Sequence, residues 1–181
     1  MKVFDSFKTT KWSKGDTTEL FIYPEDANLN PATFDIRISI ATINGNSVFT
    51  PFEDYHRILT LLEGELELHH KNQHTTNLLP FDQDYFKGKW ETRSFGIAKN
   101  FNIIFKEKVA PLVGVHHLIK SREEQIELTG TLNLVYIDEG EVLINKTSVK
   151  AGSIALLDEK ELHLQPSSDS IIIVCQFDNI S

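Results

Sequence analysis

A strand–glycine–strand pattern occurs twice in this sequence and constrains its fold more than any other feature. The stretch RILTLLEGELEL at residues 57–68 is echoed by LNLVYIDEGEVLI at residues 132–144. In each copy an apolar strand leads to an acidic residue and a glycine, Gly64 or Gly140, and a second short strand follows. We interpret each glycine as the positive-φ residue of a hairpin turn.

The two copies continue in the same way, which indicates a duplicated unit. A turn and a strand follow in NLLPFDQDYFKG (77–88) and SVKAGSIALLDE (148–159), and closing strands follow in AKNFNIIF (98–105) and DSIIIVCQF (169–177). This repetition predicts an all-β protein of two similar barrels or sandwiches packed side by side, with halves 1–110 and 111–181. A single sandwich with accidental similarity is the alternative. The best helical signal is SREEQIEL at 121–128, with a Ser cap and a Glu three residues later.

Composition restricts the class of protein. A hydrophobic content of 40% is ordinary for a globular chain and too high for a disordered one. The net charge of -8 argues against unaided binding to nucleic acid or to an anionic membrane. No apolar run has membrane-spanning or signal-peptide length, and the one cysteine, Cys175, lies in an apolar strand and excludes an internal disulfide. We therefore expect a cytoplasmic protein.

Several short sequence segments resemble segments that occur in the same order in a known family. They are KWSKGDTTELFIYP (11–24), FDIRISIATI (34–43), FTPFEDYHRILTLLEG (49–64) and KNFNIIF (99–105). The repeated unit resembles the cupin fold, and two copies suggest a bicupin. The words resemble the HutD/Ves family over nearly the whole chain. The matching positions are Trp12, Gly15, Thr17, Glu19, Arg37, Ser39, Phe49, Thr50, Phe52, Arg57, Gly64, Phe101 and Asn102.

This sequence departs from the family pattern at positions that matter for whether it binds the same ligand as the family. The turn after Trp12 is shorter than in the family, Thr18 stands in place of a usual Arg, and Asn100 in place of a usual Asp. Similarity to HutD implies a link to histidine utilisation, where the family is thought to sense or buffer an acid such as N-formylglutamate. The Ves branch has been linked to environmental stress, so the pathway stays open.

The usual cupin metal motif is not preserved. It places a glutamate seven residues before the first glycine, and that position is Arg57. The two preceding histidine positions fall in TPFE (50–53), and the later one falls on Glu91. In the second half Asn133 takes the glutamate position, and only His163 keeps the motif spacing, from Gly152. One histidine without partners binds a metal poorly, so we expect no metal and no cofactor.

The two pairs of adjacent histidines are not expected to bind a metal ion. His69 and His70, like His116 and His117, are neighbours in sequence and point to opposite faces of a strand. We therefore interpret His69 and His70 as part of a solvated edge.

Two arginines suggest an anion site instead. In FDIRISIA, Arg37 shares a face with Asp35 and Ser39, opposite the isoleucines. Arg57 shares a face with Leu59 and Leu61, which are expected to line a barrel interior. An arginine inside a barrel can hold a carboxylate through two hydrogen bonds without a metal. The alternatives are a surface ion pair for Arg37 and an internal pair with Glu91 for Arg57.

The sequence thus predicts a metal-independent bicupin that binds a small carboxylate metabolite, with no catalytic constellation, no nucleic-acid partner and no membrane partner. A homodimer stays open. Two other functions are kept as alternatives: a cupin enzyme (an isomerase, hydrolase or dioxygenase) and a protein-interaction scaffold. The predicted ligand-binding residues are Arg57, Arg37, Trp12, Thr17, Thr18, Asn102 and Glu91.

Overall fold

The computed structural model describes residues 1–180 and forms two units built entirely of β-strands and their connections. The N-terminal unit comprises Phe7–Glu107, and the C-terminal unit comprises Met1–Ser6 together with residues 108–180. The strands are β1 Lys2–Phe4, β2 Lys8–Trp12, β3 Gly15–Tyr23, β4 Ile36–Asn44, β5 Ser47–Val48, β6 Tyr55–His70, β7 Thr75–Leu78, β8 Gln83–Lys87, β9 Thr92–Lys106, β10 Ala110–Leu118, β11 Glu124–Glu127, β12 Leu132–Glu139, β13 Glu141–Ile144, β14 Thr147–Lys150, β15 Ile154–Leu157, β16 Glu161–Pro166 and β17 Ser170–Asp178.

The N-terminal unit is one antiparallel sheet organised around two long strands. Its order is β2-β3-β4-β9-β6-β7, with β5 added to β9 and β8 added to β6. Strands β6 and β9 have 16 and 15 residues and pair along nearly their whole length. Because β6 is so long, different parts of it pair with β8 and with β7.

The interior of the N-terminal unit follows the predicted alternation along β6. Leu59 and Leu61 belong to a buried apolar cluster, which confirms that this face points inward. A register shift between Leu61 and Glu63 then exchanges the faces, so that Leu66 and Leu68 join the same cluster farther along. Such a bulge bends the strand and lets it continue around a closed interior.

The two glycines of the repeat have the expected positive φ but not the expected role. Gly64 has φ of 88° and Gly140 has φ of 85°. Gly64 lies inside β6, which runs through it without a turn. Gly140 separates β12 from β13, which belong to two different sheets. The hairpin prediction is therefore wrong: each glycine bends the chain, and neither joins two strands that pair with each other.

The C-terminal unit has two sheets, ordered β1-β15-β12-β17-β10 and β11-β16-β13-β14. The sequence analysis placed residues 1–6 in the first half, yet β1 pairs with β15 in this unit. The helix predicted at 121–128 is wrong, because Glu124–Glu127 forms β11 and pairs with β16. Pairing there also packs Ile126 against the buried core, which outweighs a weak local helical signal.

The core of the C-terminal unit is a cluster of thirteen buried apolar side chains from both of its sheets. Cys175 in β17 is also buried but is not a member of this cluster, and burial raises the pKa of its thiol far above the ordinary value, as expected of an inert structural cysteine. No helix in the described part of the chain has the length and apolarity needed to cross a bilayer.

Candidate functional site

The candidate site lies on one face of the N-terminal sheet, where cross-strand pairing brings polar side chains into rows. Arg37 on β4 pairs with Ile104 on β9, and Ile104 pairs with Arg57 on β6. The next row on that face contains Ser39 of β4 and Asn102 of β9, which pair with each other. Directly paired residues of antiparallel strands project to the same side of the sheet. The two arginines therefore stand on one face, two strands apart, or about 10 Å between their backbones.

Arg57 is the unusual residue of this face. It is 5% exposed, and one guanidinium nitrogen, Nη2, donates a hydrogen bond to the carbonyl oxygen of Thr50. Its Nε has no hydrogen-bond partner, and no carboxylate within residues 1–180 forms an ion pair with it. A buried cation without an anion is rare in proteins, because desolvation strongly disfavours it.

Aromatic rings surround the Arg57 guanidinium on several sides. The ring centroids of Phe52, Phe49 and Phe86 lie 5.2, 5.3 and 5.9 Å from its central carbon. The ring faces offer a cation some electrostatic stabilisation, and the planar guanidinium stacks well on them. They also confine the side chain, which reduces the conformational entropy that binding an anion would cost.

Burial and, as a smaller contribution, the positive charge of Arg37 together lower the pKa of Arg57 to about 10. This value is still well above neutral pH, so the guanidinium stays charged under physiological conditions. The influence of Arg37 also indicates that the two cations share one electrostatic environment. A negative ligand placed there would interact with both.

Arg37 differs from Arg57 because it has an internal partner. Its Nε donates to Glu19 Oε2 at 2.7 Å, and its side chain is 9% exposed whereas that of Glu19 is 36% exposed. The alternative of a surface ion pair was thus right about the pairing and wrong about the setting. Glu19 lies on the same face because it pairs directly with Ser39, two residues from Arg37 on β4.

These residues line a cavity of about 680 Å³ within the N-terminal unit. Three cations and one carboxylate contribute to its wall, namely Lys8, Arg37, Arg57 and Glu19, so its charge is positive in a chain of net charge -8. Trp12, Phe49 and Phe52 supply aromatic surface. An apolar lining with a few converging polar groups is typical of small-molecule sites.

Two amide side chains add polar groups to this wall. Asn102 is 8% exposed, and its Oδ1 atom has no hydrogen-bond partner. Asn100, two residues earlier on the same face of β9, donates from Nδ2 to the carbonyl oxygen of Ala41 at 3.2 Å. Asn102 therefore has an unused acceptor beside a surplus of donors at Arg57, a pattern that suits a ligand with both a carboxylate and an N–H or O–H group.

Five of the seven residues predicted for the site line the cavity: Trp12, Thr17, Arg37, Arg57 and Asn102. Trp12 and Thr17 are also joined, since the indole Nε1 donates to Thr17 Oγ1 at 3.2 Å. The GDTTE stretch that contains Thr17 and Thr18 lies in β3.

The other two predicted residues lie elsewhere. Thr18 alternates to the opposite face of β3 from Thr17, and its hydroxyl lies 2.8 Å from that of Thr9. Glu91 does not reach the interior, because it forms ion pairs on the surface with Lys71 at 2.5 Å and Arg93 at 3.5 Å. The internal Arg57–Glu91 pair is therefore wrong.

Sequence reasoning did not select Phe49, Phe52, Ser39 and Asn100 as cavity residues. The first two lie in the FTPFE word, whose irregular backbone gives no periodicity from which to infer an inward face. Asn100 could have been found, since it has the same period-two relation to Asn102 that placed Arg37 beside Ser39.

The position equivalent to Arg57 in the second repeat is chemically different. Asn133 is 2% exposed, and its Nδ2 donates to the carbonyl oxygen of Gly130 at 2.8 Å. His163, the one position that keeps the metal-motif spacing, has a half-exposed side chain that lies 2.8 Å from Gln125 Nε2 and 3.3 Å from Glu161. It is half-exposed to solvent and hydrogen-bonded to its neighbours, and no cluster of three metal-ligating side chains among the described residues includes it.

The profile of the HutD family matches residues 5–174 of this sequence. The chain belongs to the HutD family. No curated protein gives a significant match. Among solved structures, a conserved protein of unknown function from Pseudomonas aeruginosa PAO1 is similar with a TM-score of 0.84 and 17% identity, over 98% of each chain. HutD from Pseudomonas fluorescens SBW25, in a formate condition, is similar with a TM-score of 0.80 and 17% identity, over 99% of each chain.

The fold is also shared beyond the HutD family. The pirin YhhW from Escherichia coli in complex with nickel(II) is similar with a TM-score of 0.74 and 12% identity, over 97% of this chain and 98% of that one. These likenesses show an all-β, cupin-like fold, as the repeated strand–glycine–strand unit predicted.

Proposed function

We propose that this HutD-family protein binds a small carboxylate metabolite in the cavity of the N-terminal unit and does so without a metal. The observation that carries the proposal is Arg57, a buried guanidinium with no carboxylate partner within residues 1–180 and an unused Nε donor beside the cavity. Such an arrangement is unfavourable for folding alone, and an anionic ligand would compensate it.

The contacts suggest how a ligand would be held. Arg57 would donate two hydrogen bonds to a carboxylate, and Arg37 would add charge from two strands away while its own partner Glu19 keeps it oriented. Asn102 Oδ1 would accept a hydrogen bond from a second part of the ligand. Trp12 would cover an apolar or planar portion.

This pattern favours an acid that also carries a donor group, such as an N-acyl amino acid. N-formylglutamate is the candidate that the link of the family to histidine utilisation suggests, and the role would be regulatory or buffering. The cavity of about 680 Å³ is large enough for a molecule of that size. Formate, named in the condition of the similar HutD structure, is the smallest carboxylate that tests the Arg57 contact alone.

The cavity also bears on the scaffold hypothesis. A protein that served only as an interaction scaffold would have no need of an open, positively charged interior. The buried, unpaired Arg57 favours ligand binding over that alternative.

The test is calorimetric titration of the chain with N-formylglutamate, glutamate, urocanate and formate, with and without a chelator. We expect saturable binding of at least one acid, unaffected by chelator, and a melting temperature that rises with its concentration. Arg57→Gln should weaken that binding by about 10- to 100-fold, since a hydrogen-bonded charge pair contributes about 1.5–3 kcal/mol.

The matched control is Arg93→Gln, which removes an arginine whose side chain is 61% exposed and outside the cavity. It should bind the acid as the parent does. Equal affinities for Arg57→Gln and the parent would exclude Arg57 as the anion contact. No binding of any acid would remove the support for a carboxylate ligand.

A further inference from the structure

A second group of polar side chains lies in the N-terminal unit, apart from the cavity, and two of its three members are buried. His70 is the last residue of β6, Asp84 lies in β8, and His74 lies in the turn between β6 and β7. None of the three lines the cavity. The Phe86 ring lies between the two regions, 4.5 Å from the His70 ring and 5.9 Å from the Arg57 guanidinium.

The three side chains converge on one point. His70 Nε2 lies 2.7 Å from Asp84 Oδ2, and His74 Nε2 lies 3.4 Å from Asp84 Oδ1. One ligand atom from each residue lies within 4.8 Å of the others. The imidazole rings are 4.6 Å apart.

A tight turn creates this convergence. The His70 N–H donates to the His74 carbonyl oxygen at 2.9 Å, and the Gln73 N–H donates to the His70 carbonyl oxygen at 3.0 Å. Asn72 adopts the left-handed conformation, with φ of 61°, that closes the turn. The prediction that His69 and His70 face opposite sides is right, but the solvated edge is wrong for His70, whose side chain is fully buried.

Neighbouring groups orient the His70 ring. Its Nδ1 lies 2.8 Å from Thr92 Oγ1, and the Thr92 hydroxyl donates to the Trp90 carbonyl oxygen at 3.3 Å. When the Thr92 hydroxyl gives its proton to the Trp90 carbonyl, Nδ1 of His70 is the donor to Thr92. The opposite nitrogen, Nε2, then faces the Asp84 carboxylate, and either a proton or a metal cation must lie between them. A hydrogen bond to the far ring nitrogen is how metal-binding histidines are usually held.

Charge and access are consistent with a metal ion. Asp84 supplies a carboxylate to the group, and its side chain is 8% exposed. The His74 side chain is 42% exposed, which leaves a route from solvent. The Trp90 ring packs edge-on against both imidazoles, with centroids 5.5 and 5.8 Å away, and forms a wall.

We propose that His70, His74 and Asp84 form a binding site for a divalent transition-metal ion such as Zn²⁺. Two imidazoles and a carboxylate are a donor set that Zn²⁺ accepts, with a fourth position open to solvent. Tetrahedral coordination at about 2.0–2.1 Å puts ligand atoms about 3.3 Å apart. The His74–Asp84 separation of 3.4 Å already fits, and the His70–Asp84 separation of 2.7 Å would open by about half an ångström on binding.

The test is calorimetric titration of untagged, metal-stripped protein with Zn²⁺, and separately with Mg²⁺. We expect one Zn²⁺ per chain and no Mg²⁺ binding, because Mg²⁺ prefers oxygen ligands. His74→Gln should weaken Zn²⁺ binding by at least about tenfold. This variant alters an exposed ring in a turn, so the fold should be retained, which circular dichroism checks.

His163→Gln is the matched control. It removes a similarly exposed histidine that also lies near a carboxylate, Glu161 at 3.3 Å, and it should bind Zn²⁺ as the parent does. A second readout is the fluorescence emission of Trp90, measured in a Trp12→Phe background so that Trp90 is the one tryptophan. Co²⁺ should quench this emission, and the quenching should be weaker when His74→Gln is added.

Two results would overturn the proposal. One is the absence of stoichiometric Zn²⁺ binding by the parent, which would leave a proton between His70 and Asp84. The other is an equal loss of Zn²⁺ binding in His74→Gln and His163→Gln. Arg57→Gln should retain Zn²⁺ binding, so that failure of this proposal is distinguishable from failure of the carboxylate proposal.

Discussion

The two repeats of this protein share a strand plan, but their interiors differ in chemistry. The interior of the C-terminal unit is a continuous apolar cluster, with residues such as Val135, Ile137 and Leu164 fully buried. The interior of the N-terminal unit combines an apolar cluster around Leu59 and Leu61 with a positively charged cavity. The shared plan therefore determines where side chains point, and the side chain at each inward position determines whether a unit has a charged cavity in its interior.

The clearest contrast is the residue seven positions before each glycine of the repeat. In the N-terminal unit it is Arg57, which has an unused Nε and faces a cavity. In the C-terminal unit it is Asn133, whose amide bonds to a carbonyl three residues earlier. Each residue has one local hydrogen bond and one buried polar atom without a partner, Nε of Arg57 and Oδ1 of Asn133. The difference is that the residue of the N-terminal unit is a cation that lines a cavity, whereas Asn133 is neutral.

The largest effect on stability is expected for Asn133→Arg, which places a cation at the equivalent position of the C-terminal unit. The site is 2% exposed, and Asn133 Oδ1 already lies 2.7 Å from where a Cβ on Gly130 would stand. An added buried charge without a cavity or an anion should lower the free energy of unfolding by about 4 kcal/mol or more. Urea denaturation measures this, and a loss below about 1 kcal/mol would show that the C-terminal interior can also accept a charge.

A smaller effect is expected at the two glycines, where the repeats are most alike. A Cβ at Gly64 would lie 2.1 Å from the backbone carbonyl oxygen of Ile97, and one at Gly140 would lie 2.1 Å from the hydroxyl oxygen of Ser170. Both positions have positive φ, so alanine is strained at each. Only the serine hydroxyl can rotate away, although Asp169 O at 2.7 Å keeps the second site tight.

We therefore expect Gly64→Ala to lower the free energy of unfolding by about 2–4 kcal/mol and Gly140→Ala by about 1–2 kcal/mol. Thermal or urea unfolding of the two variants gives the difference. The reverse order would mean that the bend in β6 tolerates movement better than the junction between the C-terminal sheets.

A still smaller effect on stability is expected for Arg57→Met in the absence of ligand. The substitution removes a buried, unpaired cation and one hydrogen bond to Thr50, two changes of opposite sign. The free energy of unfolding should stay constant or rise by about 1 kcal/mol, while carboxylate binding is lost. A fall of about 2 kcal/mol or more would assign Arg57 a structural role like that of Asn133.

The smallest effect concerns pH. Because burial lowers the pKa of Arg57 only to about 10, its charge is constant near neutrality. Affinity for a fully ionised carboxylate should be flat from about pH 6 to about pH 9 and should fall as pH rises through about 10, where the cation begins to lose its proton. Titrations across this range check it, and a change in affinity near pH 6–7 would implicate a histidine instead.

Much of the site followed from local patterns. Alternation along β4 and β6 was sufficient to set Arg37 opposite the isoleucines and Arg57 beside Leu59, because successive strand residues point to opposite faces regardless of what surrounds them. The repeat and its glycines likewise indicated the all-β, cupin-like fold, since a glycine tolerates the positive φ of a chain bend whatever surrounds it.

Other features depended on contacts between segments far apart in the chain. Whether Arg57 meets Glu91 or an open cavity is decided by where the segment after β8 runs, and there Lys71 and Arg93 hold Glu91 on the surface. Similarly, the pairing of β1 with β15, and the meeting of His70 with Asp84, join residues that no period in the sequence connects. The sequence by itself thus determined the faces of the strands, which are local. Only the tertiary structure decided which charges are paired, because pairing depends on long-range packing and on the burial that makes an unpaired charge costly.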